Sequence, residues 1–237
     1  MSPGESAAPI EPALAHEERR AIIGDSVAVA LATSSYGVSF GAISVSSGLD
    51  VWQTCALSLL VFTGASQFAF VGAVAAGGAP LSGALAAVLL GSRNALYGFR
   101  LAPLLGWNGV RRAALAHLVI DESTAMAVLR PSRAAARLGF LATGLGVFAL
   151  WNLATLIGAL AGNLIGDPRT FGLDAAVGAA FLALLWPRLT GPNNRLVAGI
   201  AAAGAALMVP VTAVGIPVLA AGAVALLLGI LGVRGEP

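Results

Sequence analysis

The sequence predicts an all-α polytopic membrane protein. Of its 237 residues, 58% are hydrophobic and only 10% are charged, against about 25% charged residues in ordinary soluble domains. Residues 51–78 and 138–166 carry no charge, and a transmembrane helix needs only about 20 apolar residues. The runs are continuous and rich in Ala, Leu and Gly, whereas the strands of a membrane β-barrel alternate apolar with polar residues. Helices are therefore the predicted spanning elements.

The distribution of charge and the N-terminal composition bound the organisation of the chain. All thirteen basic residues are arginine and stand against eleven acids. Nearly all lie between apolar runs, so they indicate topology rather than nucleic-acid binding. Cys55, alone of its kind in an apolar run, is expected to be a packing residue. Residues 1–20 lack the features of a secretory signal, so we expect a retained, disordered tail before one transmembrane transporter domain, residues 21–237.

Seven apolar spans follow the tail, near residues 25–47, 51–77, 80–105, 138–164, 174–189, 194–212 and 215–233. Arginine flanks the intervening segment 113–129 on both sides, so the positive-inside rule places both of its ends in the cytoplasm. We therefore predict about seven transmembrane helices plus one re-entrant or interfacial helix. With Arg188, Arg195 and Arg234 also inside, this count puts the N-terminus outside. An even number of crossings with the N-terminus inside is the rival arrangement.

A short internal echo suggests an inverted repeat. Gly-Leu-Asp introduces the second span at residues 48–50 and the fifth at residues 172–174. If residues 113–129 do not cross, two three-helix units run in opposite directions, as in many transporters. The units would be repeat 1 at about 25–105, a linker helix at 113–129, repeat 2 at about 138–212 and a final helix at 215–233. A chance match is the alternative in a chain so rich in small residues.

Glycine spacing indicates where helices meet. Gly37 and Gly41 form one G-x-x-x-G pair, and Gly158, Gly162 and Gly166 form another series. Such pairs give flat faces that allow two helices to approach closely. The alternative is that residues 34–41 break the first helix and free backbone groups for a substrate. Tyr36 and Ser39 are the candidate substrate-binding side chains of this segment.

Arg93 is the clearest misfit in the third span. It follows fourteen uncharged residues, which places its guanidinium about 21 Å along a helix and inside a ~30 Å hydrocarbon layer. A charge there is usually functional or paired. Tyr97 and Arg100 share its helical face at i+4 and i+7, which suits an anion or an acidic partner on another helix. A purely structural salt bridge is the equal alternative.

Polar residues in two further segments are candidates for a transport path. In the second span, Thr63, Ser66 and Gln67 bring hydroxyl and amide groups together, either to line a substrate cavity or to satisfy neighbouring helices. In the 113–129 segment, His117 and Asp121 recur with Thr124 at helical spacing, and Glu122 adjoins them. Carboxyl and imidazole groups near the hydrocarbon layer could carry a coupling proton; a surface-lying segment would leave them solvated.

Asp25 opens the first predicted span. It is a further proton-coupling candidate, and helix capping is the alternative role.

These residues resemble a known family, the large subunit of branched-chain amino acid exporters, or AzlC-type permeases. The similarity runs from about residue 22 to 190 and rests on these elements in order: Phe40-Gly41, Gly48-Leu49, Phe62-Thr63-Gly64-Ala65-Ser66-Gln67-Phe68, Arg93 with Leu96-Tyr97-Gly98, Asp121-Glu122-Ser123, Trp151-Asn152 and Gly172-Leu173-Asp174. In one motif the chain departs from the family, because Gly91 and Asn94 stand where Asn and His are usual. Asn94 and Asn152 join the predicted substrate-binding set on this comparison.

The resemblance implies a multi-pass permease of the bacterial inner membrane that exports valine, leucine and isoleucine, with methionine as a further candidate. It also implies a small AzlD-type partner subunit of roughly four helices; a homo-oligomer is another expected assembly. The sequence contains no nucleotide-binding G-x-x-x-x-G-K-[ST] loop. We therefore expect secondary transport, proton-coupled or facilitated, without cofactor or metal. The partner is expected to be a membrane protein rather than a nucleic acid.

Two other functional classes remain open from the sequence. One is a non-catalytic assembly subunit whose partner forms the path. The other is an intramembrane hydrolase using Ser66 and His117. Its serine lacks the second glycine of a G-x-S-x-G elbow, so we expect no enzyme activity.

Overall fold

A computed structural model describes residues 14–165, 182, 185–186, 189–212 and 216–230. The helices in this part of the chain are α1 His16–Ser46, α2 Val51–Leu60, α3 Ala65–Ala75, α4 Pro80–Leu105, α5 Gly109–Ala116, α6 Asp121–Val128, α7 Arg133–Ile165, α8 Pro192–Met208 and α9 Ile216–Ile230. The all-α prediction is confirmed for these residues. Among them, α1 and α7 are long and apolar enough to span a membrane.

Several predicted features fall outside the described residues. They include most of the fifth predicted span, 174–189, the second Gly-Leu-Asp echo at 172–174, and the greater part of the N-terminal tail. Residues 16–20, assigned to that tail, form the first turns of α1. The predicted division into repeats and the total of about seven crossings therefore stay predictions.

Helices α1 and α7 pack side by side and run in the same direction. Near their beginnings, Thr143 Oγ1 donates a hydrogen bond to Ser26 Oγ at 3.0 Å. Further along, a Cβ on Gly41 would lie 2.6 Å from the backbone nitrogen of Ala159. Glycine is required at that crossing because no larger residue lets the two backbones come so close. The packing interpretation of the glycine pairs is thus confirmed, whereas a helix break at residues 34–41 is wrong because α1 continues to Ser46.

The parallel course of α1 and α7 bears on the predicted topology. Both helices begin at the same end of the molecule, so an outward N-terminus and an inward start of α7 cannot hold together. The observed contacts instead agree with the rival arrangement, in which the N-terminus and residues 130–137 share one side.

The second predicted span is a hairpin rather than one crossing helix. Helix α2 ends at Leu60 and α3 begins at Ala65. Gly64 lies between them with φ of 61°, a left-handed conformation that glycine adopts without a Cβ clash. Gln67 Nε2 then donates a hydrogen bond of 3.3 Å to the carbonyl oxygen of Leu57. The first turn of α3 is therefore held beside the last turn of α2, and the chain doubles back.

Contacts with α7 confirm this reversal. Ser58 of α2 donates a hydrogen bond to Thr155 at 3.3 Å. The ring of Phe62, at the tip, lies 5.1 Å from the ring of Phe148. On the return, Phe68 of α3 packs 6.4 Å from Trp151. Along the sequence, α2 contacts Thr155, the turn contacts Phe148 and α3 contacts Trp151. The chain therefore reverses its direction along α7.

Residues 109–128 form a second hairpin, which enters from the opposite end. The Trp107 and Phe140 rings are 5.7 Å apart, the His117 and Phe148 rings are 5.6 Å apart, and Met126 packs against Gly139. The segment predicted to be one re-entrant or interfacial helix is instead two eight-residue helices that double back; its position relative to the membrane stays a prediction. At about 12 Å each, neither is long enough to cross a bilayer.

A serine fixes the turn of the second hairpin. Ser123 Oγ donates to the Leu118 carbonyl oxygen at 2.6 Å and accepts from the Ile120 backbone N–H at 3.2 Å. Because the helix is interrupted here, His117 no longer shares a helical face with Asp121. The predicted i, i+4, i+7 alignment of the 113–129 segment is therefore wrong.

The two hairpin tips meet beside the middle of α7. His117 Nε2 lies 2.9 Å from the carbonyl oxygen of Leu59; since a carbonyl only accepts, Nε2 carries the proton of this bond. The His117 ring also packs 5.9 Å from Phe62. Helix α4 runs opposite to α1 and α7, because Arg137 Nε donates to the Leu105 carbonyl oxygen at 2.7 Å. Thus α1–α3 and α4–α6 each form a long helix followed by a hairpin, in opposite directions.

We expect Gly158→Ala to destabilise the protein by about 1–3 kcal/mol, as overpacking does. The added methyl group would lie 2.7 Å from the carbonyl carbon of Val38, so backbone must move. Gly24→Ala is the matched control, because nothing lies within 4 Å of its added Cβ. Thermal unfolding of purified protein, followed by circular dichroism, measures both changes. Equal unfolding midpoints for the two variants would contradict the close approach of α1 and α7.

Candidate functional site

The two hairpins and the three long helices α1, α4 and α7 enclose a cavity of about 230 Å³. Its lining residues fall into three chemical groups. The ionisable residues are Arg93, Asp121 and Glu122; the hydroxyl-bearing residues are Thr33, Tyr36 and Thr63; the others are Phe62, Gly64, Ala65, Phe68, Leu90, Ile120, Val147, Trp151 and Leu185. The cavity is thus mostly apolar with a few polar groups, the usual composition of a small-molecule site.

An ion pair crosses the cavity from α4 to α6. Arg93 Nη2 lies 2.9 Å from Asp121 Oδ2, and the two side chains are 27% and 28% exposed. The sequence left open an anion or an acidic side chain of another helix as the partner of Arg93, and in the structure Asp121 forms a salt bridge with it. Asp121 is also the first residue of α6, where the partial positive charge of a helix N-terminus stabilises a carboxylate. The pair therefore neutralises two charges that an apolar site would otherwise penalise.

Glu122 contributes a second carboxylate beside this pair. Thr33 Oγ1 of α1 lies 3.5 Å from Glu122 Oε1, which is a long and weak contact. Tyr36 lies one turn further along α1 on the same side of the cavity. Since Arg93 is engaged by Asp121, Glu122 is the acid available to a cationic group or a proton.

The beginning of α3 also faces the cavity. Gly64 and Ala65 line it, and α3 begins at Ala65. The first N–H groups of a helix have no intrahelical acceptor and carry partial positive charge. This end of α3 can therefore bind an anionic group such as a carboxylate.

Three cavity residues bear buried polar atoms without a hydrogen-bond partner. They are Thr63 Oγ1, Arg93 Nε and Trp151 Nε1. Buried polar atoms in folded proteins are nearly always paired. A polar ligand or water in the cavity would supply the missing partners.

The structure separates the other predicted substrate-binding residues from this cavity. Ser66 and Gln67 are buried, with Ser66 against Gly91 of α4 and Gln67 bonded to the Leu57 carbonyl oxygen. Both side chains pack within the hairpin and against α4, and Ser66 Oγ and Gln67 Oε1 are buried without a hydrogen-bond partner. Because the helix breaks at Gly64, Thr63 and Gln67 do not share a helical face as predicted.

Four further candidates lie at other surfaces. Asn94 lines a second cavity beside the hairpin tips, and Tyr97 is half-buried on α4. Ser39 is exposed on α1. Asn152 Nδ2 donates to the Phe148 carbonyl oxygen of its own helix at 2.7 Å.

Two of the four proton-coupling candidates line the cavity, and two do not. Asp121 and Glu122 are the lining pair. His117 binds Leu59 at the hairpin tips. Asp25 lies inside α1, not at its start, and pairs with Arg130 at 2.9 Å with 58% of its side chain exposed. Helix capping by Asp25 is therefore ruled out.

Sequence reasoning missed several lining residues. Thr33, Phe62 and Val147 had no role assigned, and Trp151 was used only as a landmark of the resemblance. Thr33 and Tyr36 are spaced three residues apart, which puts them on one helical face and is a usable signal. The sequence carries no such signal for the aromatic residues, because an apolar side chain in an apolar segment can serve in packing as well as in a binding site.

Comparison with known proteins fits this architecture. A family model described as AzlC protein matches residues 28–165, which include both hairpins and every long helix that lines the cavity. The chain belongs to the AzlC family. Family membership confirms the resemblance and supports a transport role rather than catalysis.

Two relatives of this AzlC-family chain are described as uncharacterized membrane proteins. One, from Archaeoglobus fulgidus, is 32% identical over 181 residues, covering 75% of this chain and 80% of the relative. The other, from Helicobacter pylori, is 24% identical over 162 residues, covering 67% and 70%. No solved structure matches the chain. These findings support a membrane protein of the AzlC family.

The hydrolase alternative has no support in the geometry. Ser66 is buried against α4, while His117 directs Nε2 at the Leu59 carbonyl oxygen. A serine nucleophile needs a base within hydrogen-bond reach, and these contacts commit the two side chains elsewhere.

We expect the Arg93→Gln and Asp121→Asn substitutions to be strongly coupled. Each single change leaves the other charge without its partner in apolar surroundings, so the double variant should be more stable than the sum of the single effects predicts. Allowing for solvent screening of a partly exposed pair, the coupling should be about 1 kcal/mol. Denaturant unfolding of the four proteins gives this value.

The Asp25–Arg130 pair is the control for this cycle. It has the same 2.9 Å separation, but the Asp25 side chain is 58% exposed, so its coupling should be smaller. A larger coupling at Asp25–Arg130 than at Arg93–Asp121 would contradict the assignment of the cavity pair as a buried, mutually dependent one.

Proposed function

We propose that this chain is a secondary transporter of the bacterial inner membrane that exports branched-chain amino acids. The substrates would be valine, leucine and isoleucine, with methionine as a further candidate. The observation that carries the proposal is the composition of the cavity, where one cation, two acids and three hydroxyl groups face an apolar wall. A zwitterion with an apolar side chain has complementary chemistry. AzlC-family membership supports the transport role.

The charged groups suggest how a zwitterion would be oriented. Its carboxylate would lie at the N-terminus of α3, beside Gly64 and Ala65, where backbone N–H groups and the helix dipole favour an anion. Its ammonium group would lie at Glu122, with Thr33 and Tyr36 as hydroxyl neighbours. Arg93 and Asp121 would hold α4 and the second hairpin in place beside the ligand.

The apolar wall suggests the substrate class. Phe62, Phe68 and Trp151 offer aromatic surface to an aliphatic side chain, and burying it contributes roughly 25 cal/mol per Å². The cavity of about 230 Å³ is smaller than the ~300–1,000 Å³ typical of drug-sized ligands. A small amino acid is thus favoured over a peptide or a larger metabolite.

Charge distribution suggests the orientation and coupling. Arginines concentrate at the end where α1 and α7 begin, which the positive-inside rule assigns to the cytoplasm. The N-terminus would then be cytoplasmic, one hairpin would enter from each side, and the cavity would lie between them. Glu122 would carry the coupling proton, since it is the lining acid that Arg93 does not directly engage. A proton moving inward would drive an amino acid outward.

A small AzlD-type membrane subunit is part of the proposal. Coexpression of the chain with and without such a protein, followed by copurification and valine binding, tests this part. Binding by the chain alone would indicate an autonomous carrier, and binding only by the pair would indicate a shared site.

We expect everted membrane vesicles containing the protein to accumulate labelled valine when their interior is acidic. In vesicles with Glu122→Gln, this accumulation should fall to the level of vesicles without the protein, because the amide cannot carry a proton. Valine exchange in the absence of a gradient should continue, since the amide oxygen can still accept from an ammonium group. Glu17→Gln, on the exposed first turn of α1, is the matched control and should leave both assays unchanged.

The two halves of this experiment separate the possible errors. Failure of accumulation at every pH gradient, with exchange intact in the unmodified protein, would refute proton coupling and leave facilitated export. Failure of both assays, in the presence of the partner subunit, would refute the substrate class.

A further inference from the structure

A third cavity, distinct from the central one and from the one lined by Asn94, opens between α4 and α5 at the arginine-rich end. It has a volume of about 130 Å³ and is lined mainly by apolar side chains, including Leu101, Leu105, Leu115 and Phe140. Arg112 and Trp107 also line it. The groove thus combines an apolar body with a cationic group.

Further arginines gather around Trp107. The Arg111 Cζ atom lies 5.0 Å and the Arg137 Cζ atom 5.8 Å from the centre of the Trp107 ring. Arg133 lies against Gly106, the residue that ends α4. Arg111 and Arg112 are exposed, and several cations at one end of the molecule create a positive local potential. That potential attracts an anion.

Trp107 provides an independent indication that the groove can bind a hydrogen-bond acceptor. Its side chain is 6% exposed, and the indole Nε1 is buried without a hydrogen-bond partner. Indole N–H groups usually find an acceptor when buried. A phosphate or ester oxygen in the adjoining groove would be such an acceptor.

We propose that this groove binds an anionic phospholipid of the surrounding membrane. The phosphate would lie among Arg111 and Arg112 and accept from the Trp107 indole, and the first few methylene groups of one acyl chain would occupy the apolar groove between α4 and α5. The position fits a lipid, because the groove runs from the arginine-rich end towards the middle of an apolar molecule. Basic pockets between membrane helices are a recurrent type of site for anionic headgroups.

The proposal is tested with full-length protein stripped of lipid in a neutral detergent. Phosphatidylglycerol, phosphatidylcholine and glycerol phosphate are added separately, and bound lipid is counted by native mass spectrometry while the melting temperature is followed. Ligands that bind the folded state raise that temperature, by an amount that increases with the logarithm of ligand concentration over Kd. Phosphatidylglycerol should remain bound and raise the melting temperature, whereas the other two probes should have little effect.

Substitutions locate the site. Arg111→Gln with Arg112→Gln should weaken phosphatidylglycerol binding by roughly 30-fold. Each arginine near an anionic headgroup contributes about 1 kcal/mol of binding free energy, and the double variant loses two. Arg19→Gln with Arg20→Gln is the matched control, because it removes the same charge from an exposed pair at the same end of the molecule. The control should retain binding within about threefold.

Two variants keep all arginines in place and so test the site if the charge variants fold poorly. Trp107→Phe preserves the aromatic ring but removes the indole N–H, and should weaken binding about fivefold. Ala102→Phe fills the groove and should abolish phosphatidylglycerol retention.

Three results would overturn the proposal. They are equal binding of phosphatidylcholine and phosphatidylglycerol, equal loss in the control pair and the site pair, and glycerol phosphate binding as tight as that of the lipid. The last result would assign the arginines to a soluble anion instead.

Discussion

The close packing of α1 against α7 is the constraint on which the rest of the structure depends. Gly41 and Gly158 bring the two backbones into contact. Both hairpins then pack along α7. Phe148 of α7 touches the tip of each one, through Phe62 and His117. A hairpin tip in apolar surroundings exposes backbone carbonyls that helices would otherwise satisfy. The hydrogen bond from His117 Nε2, at one tip, satisfies the Leu59 carbonyl oxygen at the other.

The same arrangement explains why charged residues can exist in the interior. Arg93 would be costly in an apolar segment, but the reversal of the second hairpin places the N-terminus of α6, and Asp121 with it, within 2.9 Å. The N-terminus of α3 lies on the same cavity. The short helices α3 and α6 therefore each place a partly positive N-terminus at the cavity. The carboxylates of Asp121 and Glu122 offset that charge. The N-terminus of α3 and the Glu122 carboxylate lie outside the Arg93–Asp121 ion pair and are available to a small zwitterion.

Polar site residues were predictable because they are unusual in an apolar segment. Apolar site residues were not predictable. Arg93 and its need for an acid were evident from hydropathy, and Asp121, Glu122 and Thr63 were evident from polarity within apolar segments. Ser66 and Gln67 looked equally suitable, but the turn at Gly64 rotates them away from Thr63 and into the packing of α4 and α2. Trp151 and Phe62 could not be distinguished from ordinary packing residues, because their role comes only from where the cavity lies.

The sequence by itself determined the helical, membrane-embedded character of the chain, its AzlC-type motifs and the glycine faces of α1 and α7. Only the tertiary structure decided that residues 51–75 and 109–128 form hairpins instead of single continuous helices. Hydropathy measures the free energy of placing a segment in apolar surroundings, and that quantity is the same whether the segment crosses or returns. The direction is set by a few specific interactions, namely the positive φ of Gly64, the Gln67 bond to Leu57 and the two bonds of Ser123. Their partners become visible only once the chain has folded.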